Sequence, residues 1–365
     1  MSTSKTKLRL SRRRFIQGAT GLTAAVVAAP VFYVKNGWAA GKQIQMGIWG
    51  GAQGEFIKKK VLPGFENDFD CKVLAEEGST LGQISKMRAT KSNPSYSVMF
   101  VDDLAIPICK AEGLIAPLPK DKMPNLANLY PRFLQGDGYG TALGISSGGM
   151  FYNTSITPPA SFAELWDPKW KQRIKLCSAK NTPSMFFLIA AASVVTGKPF
   201  GEAQYEIEKA WDKIAEIKPN IQNLYDSGIQ AVNEVAQGQA DVGGIEYSKY
   251  VYPYTVKGVP IDLAFMKEGT FAGINSQVLV KDGPDMDLGA AFMDRMIDPK
   301  VQKPLAEFAL IAPPVAGVDL SKDTLKYVAY PETKMDELGL FSPDWGFINK
   351  NRSAWTEKMN QIFAA

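Results

Sequence analysis

The chain has 365 residues, 45% hydrophobic and 21% charged, which is material for two domains with sizeable cores. Its formal charge of +4 sits at the N-terminus: residues 1–40 hold seven Lys and Arg and no acid, and removing these leaves 34 basic against 37 acidic residues, a net of −3. A mildly acidic body offers no electrostatic footprint for nucleic acid, and the complete lack of histidine excludes Ser-His and Cys-His catalysis and histidine-zinc sites.

Residues 1–40 read as an address. The basic block Ser11-Arg12-Arg13-Arg14-Phe15-Ile16-Gln17 precedes the apolar run GATGLTAAVVAAPVFYV and the small-x-small site Gly37-Trp38-Ala39, the layout of a cleaved export signal. The order S-R-R-x-F-I is similar to the twin-arginine signal, so a mature chain beginning near Ala40, handled by the twin-arginine export machinery and exported to the periplasm, is expected. A membrane anchor is the alternative, disfavoured by Gly, Thr and Pro within the run.

Beyond the address, strands and helices alternate. IQMGIWG reads as a strand. EFIKKKVLPGFENDF then forms a helix with Phe56, Ile57, Val61, Leu62 and Phe65 on its apolar face. CKVLAEEG is a second strand, followed by a helix TLGQISKMRAT capped by Ser79 or Thr80. YSVMFVDD is a continuous apolar strand that leads into the helix LAIPICKAEGL. Such a run predicts a parallel sheet covered on both faces, with ligands beyond the carboxyl ends of the strands. Three loops fall there: Trp49-Gly50-Gly51, Gly78-Ser79-Thr80 and Asp102-Asp103.

A second unit follows. TALGISSGGMFYNT is a strand crossing between domains, FAELWDPKWKQRIKLC a helix leading to a strand, and MFFLIAAASVVTG and EAQYEIEKAWDKIAEIK are helices. QAVNEVAQGQADVGGIEYSKYV reads as helix, strand and helix, and PIDLAFMKEGTFAGINSQVLVK as a strand and a second crossing. LGAAFMDRMIDPKVQKPLAEF is a helical pair, and the tail from Glu332 packs through Trp345 and Trp355. Cys71, Cys109 and Cys177 lack C-x-x-C spacing; a Cys71–Cys109 disulfide and buried free thiols both stand open.

The glycines after Ile48 fit neither G-x-x-x-x-G-K-[ST] nor G-x-G-x-x-G. GISSG, Gly144 to Gly148, matches the nucleophile-elbow pattern around Ser146, but it lies in a crossing strand and no histidine exists to activate it. An enzyme is therefore not expected.

Several segments in order, QMGIWGG, CKAEGLIAPL, YGTALGISSGGMFYN, PASFAELWDPKWKQRIKL, GQADVGGIEYSKY and VKGVPIDLAFMKEGTFAGINSQVLVK, resemble the spermidine/putrescine-binding family among the periplasmic substrate-binding proteins of ABC importers. The resemblance implies an α/β, two-lobed type II periplasmic binding fold. Each lobe is a mainly parallel sheet flanked by helices, and the hinge is made of crossing strands. It places lobe I at 41–144 and 274–317 and lobe II at 145–273 and 318–365. It further implies a monomeric clamp that closes on a small-molecule solute and docks on an ABC transporter permease in the inner membrane, with no cofactor, no metal and no nucleic acid.

Polyamine binders grip ammonium ends with acids and flank the methylenes with aromatic rings. The resemblance makes Trp49 the aromatic wall. Other family positions are lost: Gly51 and Ile274 stand where acids are expected, and Ala272 where an aromatic is expected. Asp102 and Glu246 stand where the family has Ser and Trp, so acid has shifted place. Asp102 could equally cap the next helix and Glu246 oppose a helix dipole. Trp49, Gly50, Asp102, Ser147, Tyr152, Glu246, Tyr247 and Asn275 are the expected ligand-lining residues, and an amine-bearing solute the expected cargo. The alternatives are a ferric-ion binder, which lacks an adjacent Tyr pair here, and an anion binder using Ser79-Thr80, Ser146-Ser147 and Thr182.

Overall fold

The computed structural model describes residues 42–364. The expected export signal lies outside them. In chain order, strand β1 (Lys42–Ile48) leads into α1 (Gly51–Phe56) and α2 (Leu62–Phe69), then come β2 (Cys71–Glu77), α3 (Thr80–Ala89), β3 (Val98–Asp102) and α4 (Ala105–Ala111). Next are β4 (Leu134–Gln135), the long β5 (Gly140–Asn153), β6 (Ile174–Cys177), α5 (Pro183–Thr196), α6 (Phe200–Ala203), α7 (Trp211–Glu216) and β7 (Ile221–Tyr225). Then follow α8 (Gly228–Ala236), β8 (Val242–Tyr247), α9 (Ser248–Thr255), β9 (Ile261–Ala264) and β10 (Thr270–Leu279). The chain closes with α10 (Met286–Met296), α11 (Pro299–Ala309), α12 (Glu332–Glu337), β11 (Leu340–Phe341) and α13 (Trp345–Ala364).

The predicted first helix is continuous but passes through a π-helical turn at Ile57–Val61 before Pro63. Proline removes one backbone donor, and the wider turn absorbs the mismatch. α5 is apolar all round, and it is buried at every residue from Pro183 to Ser193, as expected for a helix enclosed in a core. No helix among the described residues is long and apolar enough to cross a membrane. All three cysteines are free and buried, which closes the disulfide alternative.

The strands form one sheet in the order β2-β1-β3-β10-β5-β8-β6-β7. β2, β1 and β3 are parallel, as are β7, β6 and β8. Between these triplets stand β10 and β5, antiparallel to each other and to their outer neighbours. This alternation makes the two parallel triplets run in opposite senses, so their carboxyl ends point toward each other. Asp102 at the end of β3 lies opposite Asn275, which faces Gly144 of β5, whereas Tyr247 at the end of β8 faces Gly148. Four residues of β5 thus separate the two sets of strand ends, about 13 Å at strand rise.

Each triplet has its own core. Ile44, Ile48, Phe65, Phe100, Phe292 and Met335 belong to one cluster, and Leu165, Phe186, Phe187, Phe271, Trp345 and Trp355 to another. The expected boundary assigned everything from residue 318 to lobe II. Instead Val318, Val328, Tyr330, Met335 and Leu340 pack into the first core, and the second core resumes with Phe341 and Trp345. The chain therefore passes between the cores three times, through β5, β10 and the tail at β11, which pairs with the start of β10. Two crossings were expected; the short β11 carries too little pattern to announce a third.

Candidate functional site

Between the facing strand ends lie two adjoining cavities, of 340 and 320 Å³. The first is lined by the ends of β6, β7 and β8 with Asp102, Gly273 and Asn275. The second is lined by the Trp49 loop, Ser79, Thr80 and Ile311. Asp102, Lys249 and Tyr250 line both. The carboxyl ends of open α/β sheets are where ligands bind.

On the β3 side, Thr80 organises the wall. Its hydroxyl donates to Asp102 Oδ2 at 2.6 Å, while its oxygen accepts from Asp102 N at 3.1 Å and from the Trp49 indole Nε1 at 3.4 Å. The Trp49 ring leans on Phe100 with centroids 5.5 Å apart. The glycines of this loop serve geometry. Gly51 has φ +71, and a Cβ at Gly54 would overlap the Trp49 carbonyl, so the turn demands residues without side chains. Asp102 caps nothing: α4 starts at Ala105 with Leu104 at its cap position and no side-chain bond. Instead Asp102 Oδ1 accepts from Asn275 Nδ2 at 3.0 Å.

On the β8 side, Glu246 is 4% exposed, and Oε1 accepts from Tyr247 N at 3.0 Å. Burial pushes its carboxyl up to about 7, against the smaller opposing pulls of that N–H and of Lys249. It stands just before α9, whose first turn receives no side-chain cap bond, and it lines the cavity. Its other oxygen closes on Gly228, where a Cβ would overlap it. Asp226 is matched already, accepting from Ser178 Oγ at 2.5 Å and Lys180 Nζ at 3.1 Å. Asp103, also pushed up to about 7 by burial, accepts from Ser342 Oγ at 3.0 Å and so ties β3 to the third crossing.

The structure brings Trp49, Gly50, Asp102, Glu246, Tyr247 and Asn275 together around these cavities. Ser147 lies elsewhere: it is buried within β5 opposite Ala272. Tyr152 faces Val242 and Asp262, at the far end of β8 from Glu246. Ser146 sits in the middle of a strand, so the GISSG match has no elbow geometry.

Two residues that sequence reasoning passed over are prominent. Lys249 projects into the junction of the cavities, with Nζ 5.5 Å from the Tyr247 centroid, 5.3 Å from that of Tyr250 and 3.4 Å from Asn275 Oδ1. Arg352 of α13 approaches from behind Thr182, Nη2 to Oγ1 3.5 Å. One lysine in an amphipathic helix carries no signal of its own. An ammonium beside both tyrosine rings, together with burial that pushes the Tyr247 phenol well up, does not suit a ferric tyrosinate centre.

This architecture, with a solute-sized cleft between the facing strand ends of two lobes, is that of a two-lobed periplasmic binding fold. Residues 62–332 match the model of the bacterial extracellular solute-binding proteins, and the chain belongs to that family. Over 266 residues it is 23% identical to the spermidine/putrescine-binding periplasmic protein of Escherichia coli, covering 69% of this chain and 73% of that protein. An ABC transporter structure from Clostridium perfringens superposes with TM-score 0.77 and 20% identity, over 88% of this chain and 99% of the other. The spermidine/putrescine ABC transporter substrate-binding protein PotD of Streptococcus pneumoniae gives 0.71 and 19%, over 88% and 99%.

Proposed function

We propose that this chain is the solute-capturing component of an ABC importer, and that its solute is a small amine-bearing organic molecule. The observation that carries this is the placement of Asp102 and Glu246 on opposite sides of one 340 Å³ cavity, with Trp49 on the adjoining wall. An ammonium taken out of water needs compensating carboxylates, and a ring face adds attraction for a cation. Membership of the solute-binding family and its likeness to spermidine/putrescine-binding proteins point the same way. Neither wall alone surrounds a solute, so binding draws the two lobes together about β5, β10 and the tail crossing. The closed form is what the permease reads.

In this reading lobe I comprises residues 41–144 and 274–317 with the segment to Leu340 added by its packing, and lobe II residues 145–273 with α13. The protein acts as a monomer in the periplasm, delivered by the twin-arginine route and cleaved near Ala40. Arg12, Arg13 and Phe15 support that route, and replacing both arginines with lysine should retain the chain in the cytoplasm. The solute assignment is tested by mass spectrometry of small molecules released from the purified protein. A compound with a basic nitrogen is expected; a solute with none overturns the reading.

A further inference from the structure

Lys249 changes what the amine-bearing solute must look like. The ring faces of Tyr247 and Tyr250, which would flank a ligand cation on the β8 side, are already occupied by the Lys249 ammonium at 5.5 and 5.3 Å. Among the described residues Lys249 forms no ion pair; its one side-chain polar contact is Asn275 Oδ1 at 3.4 Å. The opposite end of the same amide donates to Asp102 Oδ1 at 3.0 Å. A single asparagine thus holds a cation and an anion apart at the junction of the two cavities, and both charged groups line both cavities.

A solute lying across this junction meets the two charges together. A linear diamine satisfies Asp102 and Glu246 but brings its second ammonium against Lys249, inside a cleft where water screens poorly. A dicarboxylate satisfies Lys249 but faces both acids. One ammonium and one carboxylate on a short chain match Asp102 and Lys249, the two charges that Asn275 joins. We propose that the solute is zwitterionic, an amino acid-type molecule whose ammonium lies against Asp102 and whose carboxylate lies against Lys249. This deepens, and rests on, the amine-bearing reading above. It makes Lys249 the residue that discriminates between zwitterion and diamine.

The test is a series of equal chain length and varied charge, 1,4-diaminobutane, 4-aminobutanoate and butanedioate, titrated calorimetrically into the full protein. The 4-aminobutanoate is expected to bind at least about tenfold more tightly than either relative. Lys249→Met should reverse the order of 4-aminobutanoate and diaminobutane, and Lys249→Arg should keep it, with circular dichroism unchanged in both. Tighter binding of diaminobutane to the unaltered protein overturns the zwitterion and leaves the amine assignment standing. Tighter binding of butanedioate overturns both. If none of the three binds at millimolar concentration the zwitterion proposal also falls, while the amine assignment is judged on the mass of the released solute. A preserved order in Lys249→Met removes the role given to Lys249.

Discussion

Substituting Glu246 by glutamine isolates the energetic cost of a buried charge at this site. The carboxyl is 4% exposed, and burial raises it from the ordinary 4.5 to about 7. Between those values the folded protein holds a proton that the unfolded chain has released. Folding stability from this group is therefore complete below about pH 4.5, is lost as pH rises through about 7, and is level above that. At 1.36 kcal/mol per pH unit, the gap amounts to at most about 3 kcal/mol. Glutamine keeps the shape and an oxygen for the Tyr247 N–H but never ionises. Glu246→Gln should therefore gain about 2–3 kcal/mol relative to the unaltered protein between about pH 5 and about pH 8. Asp103, the other carboxyl pushed up to about 7, is present in both proteins and largely cancels in the difference. Urea unfolding at each pH unit across that range measures it. A difference that stays constant with pH refutes the reasoning, since it would mean that Glu246 is ionised without cost in the free protein.

The remaining predictions concern the walls of the cleft. Asp102→Asn should weaken the released amine-bearing solute about 30-fold, roughly 2 kcal/mol, through loss of counter-charge; unaltered affinity by calorimetry would remove Asp102 from the site. Trp49→Ala should cost roughly 1–3 kcal/mol of the same binding energy through lost ring contact and area. A Cβ at Gly273 would overlap the Tyr247 ring, so Gly273→Ala should destabilise by about 1–3 kcal/mol, seen as a lowered Tm; an unchanged Tm would mean that the ring yields freely. Small-angle scattering should show a smaller radius of gyration once the solute saturates the protein, and a constant radius would count against lobe closure.

Much of this architecture is legible without coordinates. Continuous apolar strands such as SVMFVDD, each followed by a helical pattern, are local signals of backbone period and burial, and they locate the first parallel triplet and the loops at its carboxyl ends, whereas β7 of the second triplet, Ile221–Tyr225, was not expected. The lack of histidine and the strand context of GISSG likewise speak against a Ser-His nucleophile from residues alone. What the sequence left open depends on which strands become neighbours. Ser147 and Tyr152 are among the expected ligand-lining residues, yet β8 runs antiparallel to β5, so its carboxyl end meets Gly148 and its start meets Tyr152. The segment from 318 to 340 resembles any tail until its apolar residues are seen in the first core. Lys249 is an ordinary helix residue in the sequence; the antiparallel β5–β10 pair turns the two lobes' strand ends toward each other and sets it beside Asn275, Asp102 and two tyrosine rings. Composition and periodicity, acting through neighbouring residues, determined the α/β class and the loops at the ends of the first strands. The balance of charge inside the cleft was decided only by tertiary structure, because it is set by residues up to 173 positions apart, Asp102 and Asn275, that no local pattern connects.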